Sequence, residues 1–350
     1  METVSQKSTV FTGKNLYYLL TASAVGASSY LFQNKVLYLI GVYIVTVYLG
    51  SHTIPLLTKI KAGQSVREDG PKSHLVKTGT PTLGGVFLIL PTLLISLMST
   101  GFNKEVVGVS ILTLFYFLIG FADDYKIIRE KCNKGLSARA KLVFQTLFGA
   151  IFVAWSLWQF GSTVTVGVSV ITINPVLYYC IGLFLLVGFS NATNITDGLD
   201  GLCSGISLII ALFVGLMLFP LHPQLSLMMI IFAGSNLGFL HYNSNKAQVF
   251  MGDCGSLAIG GLFTSIALVS GEVLPIIIMS SVFILETLSV MIQVSYFKHT
   301  KKKTGEGVRF FKMAPFHHHL EMSGFNEVSV NILAYMTTLV LGLLVIGIGI

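Results

Sequence analysis

Residues 191–202 hold two amides and two carboxylates within ten positions: Asn191, Asn194, Asp197 and Asp200. If the segment is helical, these residues step by three and fall near one face, where they could bind a sugar, a phosphate or a metal. The alternative is a polar helix end in water, with Asn and Asp as caps. The segment lies between two long apolar runs, and unpaired polar groups cost several kcal/mol in hydrocarbon. We therefore favour a binding site.

A second acidic motif, Asp123-Asp124, closes an earlier apolar run. Adjacent carboxylates repel each other, so at least one should gain a cation or a proton. A divalent metal, a lysine such as Lys126 or a catalytic proton would each serve. Helix capping is the structural alternative.

The third acidic motif is Phe250-Met-Gly-Asp253-Cys-Gly, at the start of another apolar run. Glycine lets the backbone approach a ligand closely, and a helix N-terminus offers N–H groups to phosphate. An aspartate there can bind Mg²⁺, which prefers carboxylate and phosphate oxygens. The alternative is that Asp253 is only the N-cap of the helix.

Two basic segments suit anionic ligands. Lys77 and Thr82 lie in a glycine-containing stretch suited to phosphate, although the order of residues excludes a Walker loop. Three consecutive histidines, His317, His318 and His319, cannot all face one metal from a helix. One or two imidazoles contacting phosphate is the favoured interpretation, and a solvated loop is the alternative.

Glu286 lies deep in an apolar run, where a carboxylate is costly. We expect a structural role for it, through a hydrogen bond to a neighbouring helix. Gln293 follows two turns later on the same face.

The composition is that of an integral membrane protein. The 350 residues are 53% hydrophobic and 11% charged, with a mean hydropathy of +0.78, whereas soluble domains carry about 25% charged residues. The four scattered cysteines predict neither a zinc site nor a disulfide framework. No cleavable signal pattern or separate soluble domain is evident, so residues 1–350 are predicted to form one membrane domain.

The apolar runs predict an all-α, polytopic helical bundle with ten or eleven transmembrane helices. The count depends on the first two runs, which only Gln33, Asn34 and Lys35 separate. The expected spans, each close to the length that crosses about 30 Å of hydrocarbon, are 15–33, 36–57, 82–99, 106–122, 142–160, 174–190, 201–220, 225–241, 256–271, 273–297 and 328–349.

Loop charges predict the orientation. Most Lys and Arg residues lie in loops 58–81, 123–141 and 298–327, whereas the opposite loops hold only Lys104. The positive-inside rule puts the basic loops in the cytoplasm, so the +7 net charge is not a nucleic-acid signal. All three acidic motifs, and every histidine except His222, fall on that same side. We therefore expect an active site at the cytoplasmic face.

Several motifs in order resemble the phospho-N-acetylmuramoyl-pentapeptide transferase family, a branch of the polyprenyl-phosphate N-acetylhexosamine-1-phosphate transferases. The chain departs from the family in two places. The family often has a lysine at the position of Ile127, whereas the lysine of this chain stands one position earlier, at Lys126. The family also commonly has one span before the basic loop 58–81, whereas this chain has two predicted spans there. The resembling segments are 64–74, 77–85, 123–124, 135–141, 191–202, 250–261, 286–290 and 313–321.

The resemblance implies a reaction and a location. The phosphate of undecaprenyl phosphate would attack the sugar-linked phosphorus of UDP-MurNAc-pentapeptide, releasing UMP and leaving lipid I in the bacterial cytoplasmic membrane. This is the first membrane step of peptidoglycan synthesis, which serves cell shape and division. Mg²⁺ is the implied cofactor. Membrane lipid is an implied partner, whereas nucleic acid is not. The resemblance leaves the oligomeric state open, and a homodimer is one alternative.

The resemblance also assigns roles by residue. The resemblance implies that Asp253, together with Asp123 and Asp124, binds Mg²⁺. Asp123 is also a candidate base for the lipid phosphate. Phe250 could stack on uracil. The expected catalytic residues are Asp123, Asp124, Asp253, His318 and His319. The expected substrate-binding residues are Lys77, Thr82, Lys126, Lys141, Asn191, Asn194, Asp197, Asp200, Asn243, Phe250 and His317.

Two other functions are compatible with the polar motifs. A sister transferase would use UDP-GlcNAc with polyprenyl phosphate. A transporter is the second alternative, since polar groups within spans also mark substrate paths. The carboxylates cluster on one side rather than at mid-membrane, which favours an enzyme.

Overall fold

A computed structural model describes residues 35–60, 62, 77, 79–130, 135–167 and 169–349. The first predicted run (15–33) and the tract 64–74 lie outside the described residues. The helices are α1 Lys35–Lys59, α2 Gly85–Ser99, α3 Lys104–Glu130, α4 Ala138–Phe160, α5 Pro175–Thr196, α6 Leu202–Met217, α7 Pro223–Asn243, α8 Gly252–Ser270, α9 Val273–Met279, α10 Ser281–Thr304, α11 Phe316–Glu321 and α12 Glu327–Ile348. A two-stranded antiparallel hairpin, β1 Thr163–Val166 and β2 Ser169–Thr172, joins α4 to α5.

The all-α, polytopic membrane class is confirmed. Within the described ranges seven helices are long and apolar enough to cross a membrane, and α9 with α10 forms an eighth candidate if the pair counts as one span. The helices α2 and α6 are apolar but shorter. Every predicted run from residue 36 onward coincides with a helix or, for 273–297, with the pair α9 and α10. The predicted total of ten or eleven spans stays a prediction.

One predicted span is not continuous. The run 273–297 is divided between α9 and α10, which meet at a bend of 70°. The amide of Ser280 still bonds the carbonyls of Ile276 and Ile277, and a new helix direction begins at Ser281. Both halves of the run are apolar, so hydropathy alone gives no sign of the bend.

The helix α8 forms the centre of the bundle and is buried along nearly its whole length. Small residues permit this, because backbones can approach closely only where no side chain intervenes. At Gly120 on α3, a Cβ would overlap the backbone of Asp253. At Gly260 on α8, a Cβ would lie 2.5 Å from the carbonyl oxygen of Phe189 on α5.

The two ends of the bundle differ in character. At one end the hairpin packs on the turn after α8, where the Thr165 amide donates to the Gly271 carbonyl at 2.9 Å. At the other end the C-termini of α3 and α5 meet the N-termini of α4 and α8. The four helix ends that carry the predicted polar motifs therefore converge at one face of the bundle.

Candidate active site

Three carboxylates, Asp123, Asp124 and Asp253, form the centre of the site. Each offers an oxygen, and these oxygens all lie within 4.8 Å of one another. The first two residues stand in the last turns of α3, and the third lies in the first turn of α8. Since the pair on α3 is almost fully buried, its charge must be balanced by the protein or by a ligand.

The carboxylate of Asp124 caps α8 from a different helix. Its two oxygens accept the backbone amides of Asp253 at 3.2 Å and Cys254 at 3.0 Å. This arrangement places a negative charge at the positive end of the α8 dipole, which is favourable. Asp253 stands within the first turn and does not cap the helix, so the capping alternative for this residue is wrong and its carboxylate faces other partners.

Lys141 is the cation that the structure brings to this cluster. From the first turn of α4 its Nζ lies 2.9 Å from Oδ2 of Asp253 and 3.4 Å from Oδ1 of Asp123. The Leu136 amide adds a bond of 2.7 Å to Asp123. Lys126, the lysine suggested by proximity in sequence, is half-buried further along α3, and the contacts to the carboxylates come from Lys141 instead.

Asn194 fixes the other oxygen of Asp253. Its Nδ2 donates to Oδ1 of Asp253 at 2.7 Å and to Ser256 Oγ at 2.9 Å. One turn earlier on α5, Asn191 donates to the side-chain oxygen of Gln145 on α4 at 3.0 Å. This bond between helices holds α4 and α5 in register, so that Lys141 and Asn194 reach the same carboxylate.

The predicted helical face of residues 191–200 is only partly realised. Asn191 and Asn194 are helical, but α5 ends at Thr196, and Asp197 and Asp200 lie in the following turn. That turn ends at Gly201, whose φ of 82° suits glycine. Four polar residues spaced by three therefore divide between a helix and a turn.

The cluster carries more negative than positive charge. Among the residues that the structure describes, three carboxylates face one ammonium group, that of Lys141. The effect reaches Asp197, whose pKa is raised well above its usual range by burial and by the charges of Asp253, Asp124 and Asp200. Such a negative excess is the electrostatic environment in which a divalent cation binds favourably.

A second ionic group lies at the same end of the molecule. Lys77 Nζ contacts Asp200 at 2.8 Å and Glu327, at the start of α12, at 2.6 Å. Burial lowers the pKa of Lys77, but its bonds to these two carboxylates outweigh that effect and raise the pKa above its ordinary value. Asp200 also accepts the Ala247 amide at 2.9 Å. Lys77 and Asp200, both predicted to bind substrate, thus connect four segments of the chain, which also include those of Ala247 and Glu327.

Asn243, another predicted substrate contact, is buried beneath this group. Its Oδ1 accepts the Gly201 amide at 3.2 Å and the Ser204 hydroxyl at 3.0 Å, and its Nδ2 donates to the Val249 carbonyl at 3.0 Å. These bonds make Asn243 a support for two loops of the site.

The segments around Thr82 and Phe250 pair through their backbones. The Phe250 amide donates to the Pro81 carbonyl at 2.8 Å, and the Gly84 amide returns a bond to the Phe250 carbonyl at 2.9 Å. The hydroxyl of Thr82 is buried and has no hydrogen-bond partner among the described residues. A Cβ at Gly252 would lie 2.7 Å from that hydroxyl, so the Thr82 oxygen borders the carboxylate cluster.

The three histidines have different surroundings. His317 is buried, and its ring and amide both bond Oε2 of Glu286, at 3.1 and 3.2 Å. The expected bond from Glu286 to a neighbouring helix is therefore confirmed. His318 pairs with Glu321 at 2.7 Å, and His319 accepts the Lys312 amide at 3.1 Å. The triplet lies within the short helix α11, and for His317 the alternative of a solvated loop is wrong.

Two polar residues of this region were missed by sequence reasoning. In the sequence, Glu327 directly precedes an apolar run, and an acidic residue at such a position ordinarily indicates only a helix N-terminus. Gln145 stood within an apolar run, and an amide in hydrocarbon is itself a signal of a buried partner.

Comparison with known proteins decides the family. Residues 106–271 match the family described as Glycosyl transferase family 4. A protein from Nostoc punctiforme is 46% identical over 286 residues, covering 81% of this chain and 79% of that protein. One from Trichormus variabilis is 44% identical over 304 residues, covering 86% and 83%. One from Synechococcus elongatus is 41% identical over 347 residues, covering 94% of each. All three are named phospho-N-acetylmuramoyl-pentapeptide-transferase.

The chain belongs to the phospho-N-acetylmuramoyl-pentapeptide transferase family. It is a multi-pass membrane transferase, and the resemblance inferred from the motifs is confirmed. The family match at 106–271 begins on α3 and ends just after α8, so it includes all three carboxylates of the cluster together with Lys141 and Asn194.

Proposed function

We propose that the protein transfers phospho-MurNAc-pentapeptide from UDP-MurNAc-pentapeptide to undecaprenyl phosphate, giving lipid I and UMP. An oxygen of the lipid phosphate forms a bond to the sugar-linked phosphorus, and the bond from that phosphorus to UMP breaks. The observation that carries the proposal is the convergence of Asp123, Asp124, Asp253 and Lys141 at one end of a membrane bundle of this family.

The chemistry of the reactants suits this position. The sugar nucleotide is soluble and anionic, whereas the acceptor presents its phosphate at the membrane surface. A cluster at the ends of spanning helices is where the two can meet. The described residues of the basic loops predicted to be cytoplasmic, such as Lys77, Lys141 and Lys312, lie at this same end, so we assign the active site to the cytoplasmic face of the bacterial inner membrane.

The carboxylate cluster fits Mg²⁺. This ion takes oxygen ligands at about 2.0–2.1 Å in octahedral geometry, so oxygens on one ion lie no more than about 4.2 Å apart. The three carboxylate oxygens are within 4.8 Å of one another, and a small closing movement would suffice. Asp253, Asp123 and Asp124 would hold the ion. When bound, Mg²⁺ would neutralise negative charge on the pyrophosphate and on the departing UMP.

Residues of the chain itself would supply charge neutralisation, a base and the positioning of a carboxylate. Lys141 lies between Asp123 and Asp253, where its ammonium group is placed to neutralise a phosphate that enters the cluster. Asp123 is the candidate base that takes a proton from the lipid phosphate. Asn194 keeps the Asp253 carboxylate from rotating, because it holds Oδ1 while Oδ2 faces the lysine.

The test is product formation by purified protein in detergent or lipid. We expect UMP and a lipid-linked product from UDP-MurNAc-pentapeptide, undecaprenyl phosphate and Mg²⁺, and neither product after chelation with EDTA. Release of UMP only with UDP-GlcNAc would establish the sister transferase instead. Sugar-nucleotide uptake into vesicles without UMP release would establish the transporter.

A further inference from the structure

Glu286 and His317 form a buried pair that the reaction outlined above does not use. Their side chains are 5% and 1% exposed, and Oε2 of the glutamate lies 3.1 Å from Nδ1 of the imidazole. The same oxygen accepts the backbone amide of His317 at 3.2 Å. One carboxylate oxygen therefore fixes both the start of α11 and the plane of the ring.

This geometry determines which ring nitrogen carries the hydrogen. An ionised carboxylate only accepts hydrogen bonds, so Nδ1 must donate to it. The opposite nitrogen, Nε2, is then available as an acceptor in the neutral ring or as an N–H donor in the cationic ring. In both states the ring presents a polar atom on the side away from Glu286.

That atom has no partner within the described part of the chain. Nε2 of His317 is buried and unbonded, and it lies directly against Gly198, where a Cβ would overlap it. Gly198 itself is exposed and belongs to the turn that carries Asp197 and Asp200. A buried polar atom without a partner is unfavourable, and the cost disappears when a ligand bonds it. Only a residue without a side chain separates this nitrogen from the site.

We propose that Glu286 is a positioning residue that holds His317 so that Nε2 bonds a polar group of the sugar nucleotide beside Gly198. The inference rests on the proposed function, since it names a contact for that substrate. It extends the predicted role of His317 by assigning the orientation of its ring to an intramembrane carboxylate.

The first experiment separates orientation from bulk and charge. In E286Q the amide oxygen can still accept both bonds, whereas E286L has similar size and accepts neither. We expect E286L to lower kcat/KM for UDP-MurNAc-pentapeptide at least about tenfold, the factor equivalent to about 1.4 kcal/mol. E286Q should stay within about threefold of wild type. Activity of E286L close to wild type would overturn the inference, and so would an equal loss in E286Q and E286L.

The second experiment tests whether Glu286 acts through His317. H317A alone should lower kcat/KM, and adding E286L to it should cause no further loss, because the ring to be oriented is already absent. Equal losses from E286L in both backgrounds would show that Glu286 acts elsewhere and would overturn the inference. Thermal melts identify any variant that fails to fold.

A third variant reaches the same ring without touching Glu286. Gly198 does not have a positive φ, so G198A leaves the backbone unstrained but places a methyl group against Nε2. We expect the loss of activity seen with H317A, and no additional loss in the double variant G198A/H317A. Normal activity of G198A would overturn the inference.

The matched control is another His–Glu pair, Glu105 with His222, whose side chains are partly exposed and 3.3 Å apart at the opposite end of the bundle. E105Q should leave kcat/KM unchanged. The wild-type reaction is the reference throughout: if it gives no UMP, the proposed function fails, whereas normal wild-type turnover with insensitive variants contradicts the role of Glu286 alone.

Discussion

Asp253 is the most accessible carboxylate of the cluster, with 22% of its side chain exposed against 6% for Asp123. It does not cap α8, because Asp124 does so from α3. Its side chain instead bonds Asn194 and Lys141 from two other helices. A carboxylate held in this way is suited to a ligand that exchanges during turnover.

We predict that D253N abolishes transfer and removes the Mg²⁺ dependence of nucleotide binding, while the protein still folds. Asparagine has nearly the same shape and keeps an oxygen for Asn194, but a neutral amide is a poor ligand for a hard cation. The measurement is UMP release against Mg²⁺ concentration, with a thermal melt as a folding check. E272Q, which changes a buried carboxylate before α9 at the opposite end, is the control and should release UMP normally. Near-normal release by folded D253N would move the metal site to Asp123 and Asp124.

The histidines beside His317 give a second prediction at this scale. We expect H318A and H319A each to lower turnover at least about tenfold, because one donor to developing phosphate charge is worth about 2.7–4 kcal/mol. Both rings are already oriented, His318 by Glu321 and His319 by the Lys312 amide. Steady-state UMP release is the measurement. Wild-type rates in both variants, with normal insertion and purification, would assign these two rings to the structure of the loop.

At the scale of elements, the site depends on how closely α3 approaches α8. The two helices touch at Gly120, three residues before Asp123. The backbone of Asp253 on α8 lies where a side chain of residue 120 would otherwise be. The distance between the carboxylates of the two helices is therefore set by the absence of one Cβ.

We predict that G120A separates the two helices and disrupts the cluster, with a loss of stability of about 1–3 kcal/mol, as in overpacked cores. Transfer should fall with stability, and the apparent affinity for Mg²⁺ should weaken. G188A is the matched control, since Gly188 is also helical but has open space around its Cβ position. Alanine there should be neutral or slightly stabilising. A G120A protein with the melting temperature and activity of wild type would contradict this account of the packing.

At the scale of the whole molecule, the hairpin end and the site end should lie on opposite sides of the membrane. We predict that a cysteine at Val170, exposed in β2, reacts with an impermeant thiol reagent in intact cells. A cysteine at Lys303, in the last turn of α10, should react only after the membrane is permeabilised. Each variant is compared with the parent protein, which has cysteines of its own. The reverse pattern would place the active site outside the cell.

The sequence by itself determined the class of the protein and its family, and it contained the polar motifs that meet at one end of the bundle. Apolar runs of spanning length can be recognised locally, and motifs such as Asp123-Asp124 retain their identity whatever the packing. The placement of polar groups at one end also followed from the sequence, because alternating spans put their loops on alternating sides.

Only the tertiary structure decided which of these residues meet. Lys141 rather than Lys126 reaches the carboxylates, Asp124 rather than Asp253 caps α8, and Glu286 binds His317. Each contact joins different helices, and the sequence pattern of one helix gives no information on its rotation against a neighbour. The sequence does not predict the bend between α9 and α10, for a related reason. Hydropathy records how apolar a segment is, whereas its direction is set by the helices that pack around it.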